Sequence, residues 1–391
     1  MQVSLDRWFN AGLRVLILCL ACGAPTLGAA NPAVPLDPPK DPPPPRLEAG
    51  YDNGFFIRSD DEAFLLRING RLQPRYEYER RGDAADTSSF YMRRVRVDLR
   101  GHVIAPDLTF RIMPELARDA NLRDGWINYA FEPSLQLRAG QFTVPFQWHR
   151  AVSGMRQHFV ERGLPSREFG FPSGYDIGLM LHGRDHTDRW AYGVGVFDGA
   201  GRNVKESNSN GHMASARLAF APLGVLPREE PDYAHSAEAQ WAVGVGAQAA
   251  NKSEVREWDL GRTPEDERDA RAHWTALTAD TRWARRGLSL ALEGYLRHVS
   301  PRADTVDSYD GWAFMASSGY FVLPQRLELV GRYSLQRLDR READTESREW
   351  GAGVNLHFHG HNAKLRVQYL DRDEFDDGRN QLFIVEQHIS F

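Results

Sequence analysis

Residues 65–80 read LLRINGRLQPRYEYER, and through the middle of that stretch the chain alternates strictly. Leu66, Ile68, Gly70, Leu72, Pro74, Tyr76 and Tyr78 share one parity; Arg67, Asn69, Arg71, Gln73, Arg75 and Glu77 share the other. A period of two marks a strand with one apolar face and one polar face. The polar face carries three arginines in line. Pro74 lies on the apolar parity and withholds one ladder donor, which predicts a local bulge or strand end there.

The same alternation returns along the rest of the chain. It is clearest at 95–103, 134–142, 176–183, 190–197, 288–297, 326–333, 349–358, 362–370 and 380–391, and 311–321 carries a weaker form of it. With further weak candidates near 108–116, 122–131, 212–220, 236–248 and 272–283, the count comes to about sixteen strands. No segment has helical periodicity and no repeat of fixed length is present. The 391 residues are 42% hydrophobic and 26% charged, with a formal net charge of -5. No run approaches the ~18 apolar residues of a spanning helix. That excludes a polytopic helical protein but leaves a membrane barrel, whose alternating faces keep the average polar. Acidic and basic residues are interspersed, so no basic tail or domain points to nucleic acid.

The first thirty residues stand apart. Arg7 and Arg14 precede VLILCLA, and small residues follow in LGAAN, the pattern of an export signal cleaved near Ala29 or Ala30. Both cysteines, Cys19 and Cys22, fall inside it, so the exported chain is expected to have no disulfide and no thiolate metal site. A lipoprotein reading of LAC at Cys22 fits poorly, since Cys19 replaces the expected Leu. Proline dominates from 31 to about 45, an extended linker rather than a core. The expected organisation is a signal peptide at 1–30, a linker at 31–50 and a barrel at 51–391.

Entering the first strand from the periplasm, alternate breaks should be short turns and long external loops. IAPD, EPS, ARRG, VLPQ and HGH comply as turns, and 143–175 and 249–271 as loops. The break at 221–235 is too long for a turn and the one at 117–121 short for a loop. Aromatics near strand ends (Trp126, Tyr129, Trp190, Trp312, Trp350, Tyr369) suggest interface girdles, and Phe391 shares the apolar parity of the last strand. A soluble β-sandwich would leave the export signal and that aromatic unexplained.

The segments GFFIRSDDEAFLLRINGRLQPRY, YMRRVRVDLRG, LRAGQFTVPF, FVERGLPSREFG, GVFDGAGRN and GWAFMASSGYFVLPQRLELVGRYS, in order from about residue 50, resemble the phosphate-selective porin family, the O and P porins. The resemblance implies an all-β fold: a sixteen-stranded antiparallel transmembrane β-barrel, usually a homotrimer, in the outer membrane. It implies a third external loop folded inward, and passive diffusion of small anions such as phosphate. In specialised members a basic residue on that loop contacts the anion. The matching stretch HRAVSGMRQHFVER places Arg150 there, with Ser153 nearby and Arg156 one step on. The arginine ladder that those members carry on the fifth loop is missing, since NKSEVREWDLGRTPEDERDAR holds more acids than bases.

Inward parity gives Arg67, Arg71 and Arg75 on the first strand and Arg94, Arg96, Asp98, Arg100 and His102 on the second. Strands about 4.8 Å apart would merge the six guanidiniums into one basic wall, able to draw oxyanions by charge-assisted bonds. Glu77, Asp98, Glu115, Asp124, Glu293, Glu328 and Glu349 also fall inward, so a neutralised structural network is the competing reading. The histidines of HFHGH (His357, His359, His361) read as an exposed turn rather than a metal site, and GVGAQA has no helix after it to bind a dinucleotide. No catalytic motif, cofactor or metal is indicated. The expectation is an anion-passing porin. A porin for neutral nutrients such as sugars, or a barrel enzyme or adhesin, stays open.

Overall fold

Of the 18 strands in the sheet, the first two form a hairpin and the other sixteen close into an antiparallel barrel. The computed structural model describes residues 45–82, 85–117, 120–171, 174–204, 211–254, 271–301, 308–338, 346–374 and 378–391. The expected signal peptide, most of the linker and most of the acidic loop at 251–271 lie outside the described residues. From Leu47, inside the stretch expected as linker, the chain is already strand. The hairpin is β1 (Leu47–Tyr51) and β2 (Phe55–Ser59).

The barrel begins with β3 (Leu65–Arg81), β4 (Thr87–Val103), β5 (Ala105–Glu115), β6 (Asn121–Glu132) and β7 (Leu135–Thr143). It continues with β8 (Tyr175–Arg184), β9 (Trp190–Phe197), β10 (Met213–Leu223), β11 (Gln240–Glu254) and β12 (Arg271–Arg285). Next come β13 (Leu288–Pro301), β14 (Tyr309–Leu323), β15 (Leu327–Leu338), β16 (Glu346–His359), β17 (Ala363–Glu374) and β18 (Gly378–Ser390). Each strand pairs with its sequence neighbours, and β18 closes on β3 from Asn380↔Arg81 to Ser390↔Arg71. Closure pairs the wall's amides and carbonyls with one another, as hydrocarbon requires.

The alternation read in the sequence now has two sides. Outward residues such as Leu72, Ile127, Leu179, Val245, Leu277 and Leu296 are exposed, while their inward neighbours Gln73, Asn128, Met180, Gly246, Thr278 and Arg297 are buried. Tyr129, Trp190, Trp312 and Trp350 join the exposed face. Trp126 does not: it lies inward, with the Arg138 guanidinium 4.2 Å above its ring. Short connections alternate with long ones. At the short-turn rim Arg286 and Gly287, both with positive φ, turn β12 into β13, the backbone that a two-residue hairpin needs. Two connections break the pattern: 224–239 is long where a turn is expected, and the three-residue link from β17 to β18 is short where a loop is expected.

Two interior ladders slip by one residue opposite a proline. Gln73 pairs with Arg94 but Pro74 with Met92, so Arg93 is the extra residue of a bulge on β4. Met113 pairs with Asp124 but Pro114 with Leu122, so Arg123 is the extra residue on β6. The bulge expected at Pro74 is therefore present, carried by the facing strand.

The seam has its own device. β3 runs past the end of β18, and Phe391 exchanges both backbone bonds with Gly70 (2.8 and 3.2 Å). Beyond it β2 takes the rest of the edge, from Phe55↔Ile68 to Arg58↔Leu65. The Phe391 ring lies over Gly70, where a Cβ would come within 2.3 Å of it. Gly70→Val should therefore push the ring off the seam, at a cost of about 1–3 kcal/mol. Thermal unfolding of the detergent-solubilised barrel checks this: the midpoint falls by several degrees, whereas an unchanged midpoint would remove Phe391 from the seam's energetics.

Candidate functional site: an arginine-lined cavity between loop and wall

The connection 144–174 between β7 and β8 runs across the inner face of β10 to β18. Its aromatic residues anchor it. Phe146, Phe169 and Phe171 pack with Phe142 of β7 and with Trp274, Tyr295 and Val299, and Phe159 and Val160 with Val330, Leu370 and Ile384. Each fully buried side chain of this kind contributes roughly 1.5–3 kcal/mol before the entropy of ordering the loop is subtracted.

Its backbone is then satisfied by inward side chains of the wall. Glu293 accepts from the amides of Trp148 (3.0 Å) and His149 (3.3 Å). Gln368 accepts from the Val160 amide (2.9 Å) and donates to the His158 carbonyl (2.8 Å), to which Asn355 also donates (3.0 Å). Lys364 donates to the Met155 carbonyl (2.6 Å) and Arg332 to that of Glu161 (2.7 Å). Where the loop packs against the wall its backbone is shut off from the water of the lumen, so wall side chains satisfy it.

The connection 224–239 meets this loop from the short-turn rim. The Glu230 amide donates to the Arg156 carbonyl (2.9 Å), and the Glu230 carboxylate, 1% exposed, accepts from the His158 amide (2.7 Å). The same carboxylate lies 3.3 Å from His149 Nε2 and 3.5 Å from His158 Nδ1. Burial alone would raise its pKa, but the neighbouring imidazoles of His149 and His158 hold it below the usual range. Tyr233 packs on His357 and His361, and His361 pairs with Glu229 at 2.9 Å. Of the turn histidines expected to be exposed, His357 is therefore buried and only partly exposed His361 is engaged. The break that is too long for a turn, expected at 221–235 and found at 224–239, is a brace for the loop.

The loop covers β10–β18 and leaves β4–β6 open. Between them lies a cavity of about 490 Å³. Eight arginines line it: Arg93, Arg94 and Arg96 on β4, Arg123 on β6, Arg150, Arg162 and Arg167 on the loop, and Arg202. Among the described residues, Glu115 and Glu161 are the only carboxylates in the lining. Glu115 pairs with Arg96 (2.5 Å), and Glu161 is held by Arg93 (3.0 Å) and Arg75 (2.6 Å). Burial would raise the Glu161 carboxyl, but Arg93 and Arg75 keep it well below the usual carboxylate range.

Several of these arginines have neutral partners. Arg94 donates to Gln73 Oε1 (3.0 Å), Arg123 to the Tyr175 hydroxyl (3.0 Å) and Arg150 to the Ser166 carbonyl (3.2 Å). Arg162 donates to the carbonyls of His149 and Val152. Gly174, at φ +70, ends the loop beneath Arg150, whose side chain would crowd any Cβ there at 2.9 Å. Burial, then the charges of Arg162 and Arg123, push the Arg150 guanidinium down to about 9. Burial and Arg123 likewise push Arg162 to about 10. Crowded like charges of this kind are relieved by an anion among them.

The residues singled out from sequence divide accordingly. Arg94, Arg96 and Arg150 line the cavity. Arg71 lies under the loop, donating to Ser153 Oγ (3.3 Å), which places Ser153 on the wall side. Arg75 is enclosed by Glu386 (2.6 Å), Glu161 and Glu77 (3.2 Å). Arg67 lies 3.6 Å from Asp52 of the hairpin, and the register pairs it with exposed Arg100. Arg156 contributes its carbonyl to Glu230, and its exposed side chain is not among those lining the cavity. The inward carboxylates are engaged: Asp98 with Arg111 (2.7 Å), and Glu349 with Arg332 (2.8 Å) and Arg372 (2.6 Å). Part of the expected wall is thus the ion-paired network. Arg93, Arg123, Arg162, Arg167 and Arg202 escaped the sequence reading, the first two because a bulge reverses their parity.

The family described as phosphate-selective porin O and P matches the chain over residues 66–389. An uncharacterized protein of Aquifex aeolicus (strain VF5) is 22% identical over 375 residues, covering 83% of this chain and 87% of that relative. Among solved structures, OmpT, an outer membrane protein of Vibrio cholerae, superposes with a TM-score of 0.58 at 13% identity, covering 86% of this chain and 100% of that one. An anion-selective porin from Comamonas acidovorans superposes with a TM-score of 0.57 at 11% identity, covering 83% and 99%. At these identities the structural matches speak to the fold.

If Glu230 braces the loop, Glu230→Ala should leave the His158 amide unpaired, at about 1–3 kcal/mol. Hydrogen exchange read at residues 157–160 should accelerate by at least tenfold while barrel strands stay protected. Unchanged exchange there would show that the aromatic anchors hold the loop alone.

Proposed function

The chain belongs to the phosphate-selective porin O and P family, and on that premise we propose that its pore passes small anions, phosphate among them, by passive diffusion. The porin barrel is an outer-membrane channel. Which solute it favours is set by the radius and lining charge of its narrowest part. The observation carrying the anion reading is the lining of the loop–wall cavity, with eight arginines against two carboxylates that are themselves ion-paired.

Guanidiniums suit this task. Each presents a planar fork of donors to an oxyanion, stays charged and is weakly hydrated, so a passing anion can exchange water for charge-assisted bonds and leave again. Low-dielectric walls focus the local excess of positive charge although the chain is net negative. We place the short-turn rim in the periplasm, with residues 1–30 directing export and the assembly a homotrimer. The trimer form recorded for Vibrio cholerae OmpT supports that last point.

Single-channel recording in planar bilayers tests the proposal. Stable ohmic steps are expected, with zero-current potentials in a potassium chloride gradient of the sign given by chloride permeation. Phosphate should block the chloride current, and Arg150→Ala should weaken that block about tenfold, the loss of one charge-assisted contact. A potassium preference would defeat the anion reading. Steps with no preference would favour neutral solutes, and an absence of steps would favour a barrel used as a scaffold. Block unchanged by Arg150→Ala would remove Arg150 from the binding residues.

A further inference from the structure

We infer that Pro74 and Pro114 build the selectivity filter: each faces a bulge whose extra residue, Arg93 or Arg123, is thereby turned into the lumen, and these two arginines set the anion preference. The inference rests on the anion reading and adds the residues and the backbone device that produce it.

In an unbroken ladder a residue's parity decides its side of the wall. Arg94, Arg96 and Asp98 are inward on β4, so Arg93 belongs by parity to the lipid side; Asp124 and Asn128 are inward on β6, so Arg123 does too. Neither position is tolerable for a guanidinium, which is strongly disfavoured on a barrel's lipid face. At both places the pairing skips the arginine, from Gln73↔Arg94 to Pro74↔Met92 and from Met113↔Asp124 to Pro114↔Leu122. The opposing residue is in both cases a proline, which offers no N–H to hold the ladder in register, and a bulge re-aims the side chain it releases. Both arginines then line the cavity.

Their partners give them different tasks. Arg93 binds both oxygens of Glu161 (3.0 and 3.3 Å), the one carboxylate that the described loop residues bring to the cavity lining, and so screens permeating anions from it. Arg123 donates to the neutral Tyr175 hydroxyl, with its guanidinium 4.5 Å from that ring's centroid, and keeps its charge for the lumen. The register past each bulge is also shifted: beyond Arg93 it is Tyr91 that points inward, to Glu77 (3.0 Å).

Two measurements test this. First, Arg93→Gln and Arg123→Gln channels are compared with the wild type by zero-current potential in a potassium chloride gradient. Each should lower the chloride-to-potassium permeability ratio about threefold, the effect of one unit charge close to the ion path. An anion-selective wild type whose ratio survives both substitutions overturns the inference while leaving the anion reading intact. A wild type that prefers potassium fells the reading and the inference together. Second, Arg93→Cys is made alone and with Pro74→Thr, in a chain whose two cysteines, Cys19 and Cys22, are first replaced by serine, and labelled from the aqueous phase with a charged thiosulfonate. Labelling should be fast in the single variant, which keeps Pro74, and at least tenfold slower in the double variant, with heat-modifiable migration showing that both barrels are folded. Equal labelling of two folded barrels shows that the proline does not govern the bulge.

Discussion

In the hydrocarbon of a membrane a backbone amide without a partner has no water to turn to, and that constraint shapes the whole molecule. It forces the wall to be a closed ladder, and a closed ladder fixes each residue's side by parity. It explains why the edge of β3 is used along its length, first by β18, then by Phe391 against Gly70, then by β2. Inside the lumen the same need draws Glu293, Asn355, Lys364 and Gln368 to the backbone of the loop that crosses it. A proline in such a wall has consequences beyond its own residue, because the missing donor is felt on the facing strand.

The charges of the lumen are sorted by where the loop lies. Over β10–β18 arginines and carboxylates are buried together beneath it and neutralise one another, as with Arg332, Arg372 and Glu349, or Arg366 and Glu386. Such pairs compensate each other's desolvation and add little field to the pore. Facing the uncovered strands β4–β6, the balance is uneven, and positive charge gathers where an ion can reach it. The brace at Glu230 belongs to this arrangement, since it fixes where the loop stops and hence which arginines stay open.

Much of this was legible in the sequence, and for identifiable reasons. Strict alternation such as Leu66 to Tyr78 survives any register choice, so the strand count and the two faces could be read directly. Arg94, Arg96 and Arg150 were within reach by parity and by family resemblance. Arg93 and Arg123 were not, because parity assigns them to the wrong face; the visible clue was Pro74 on an apolar parity, and the equivalent Pro114 opposite Arg123 went unused. The ion pairing of Arg75 with Glu386 joins residues more than three hundred positions apart, which no local pattern reveals. The brace at 224–239 was visible only as a turn of the wrong length.

Anions are expected to collect in the cavity between the loop and β4–β6. Anomalous diffraction from crystals soaked in sodium bromide, with a matched rubidium soak, addresses it most directly. Bromide peaks are expected within roughly 3.5 Å of guanidinium nitrogens of Arg94, Arg123, Arg150 or Arg162, and no rubidium there. Rubidium in the cavity, or bromide confined to the outer surface, would contradict it.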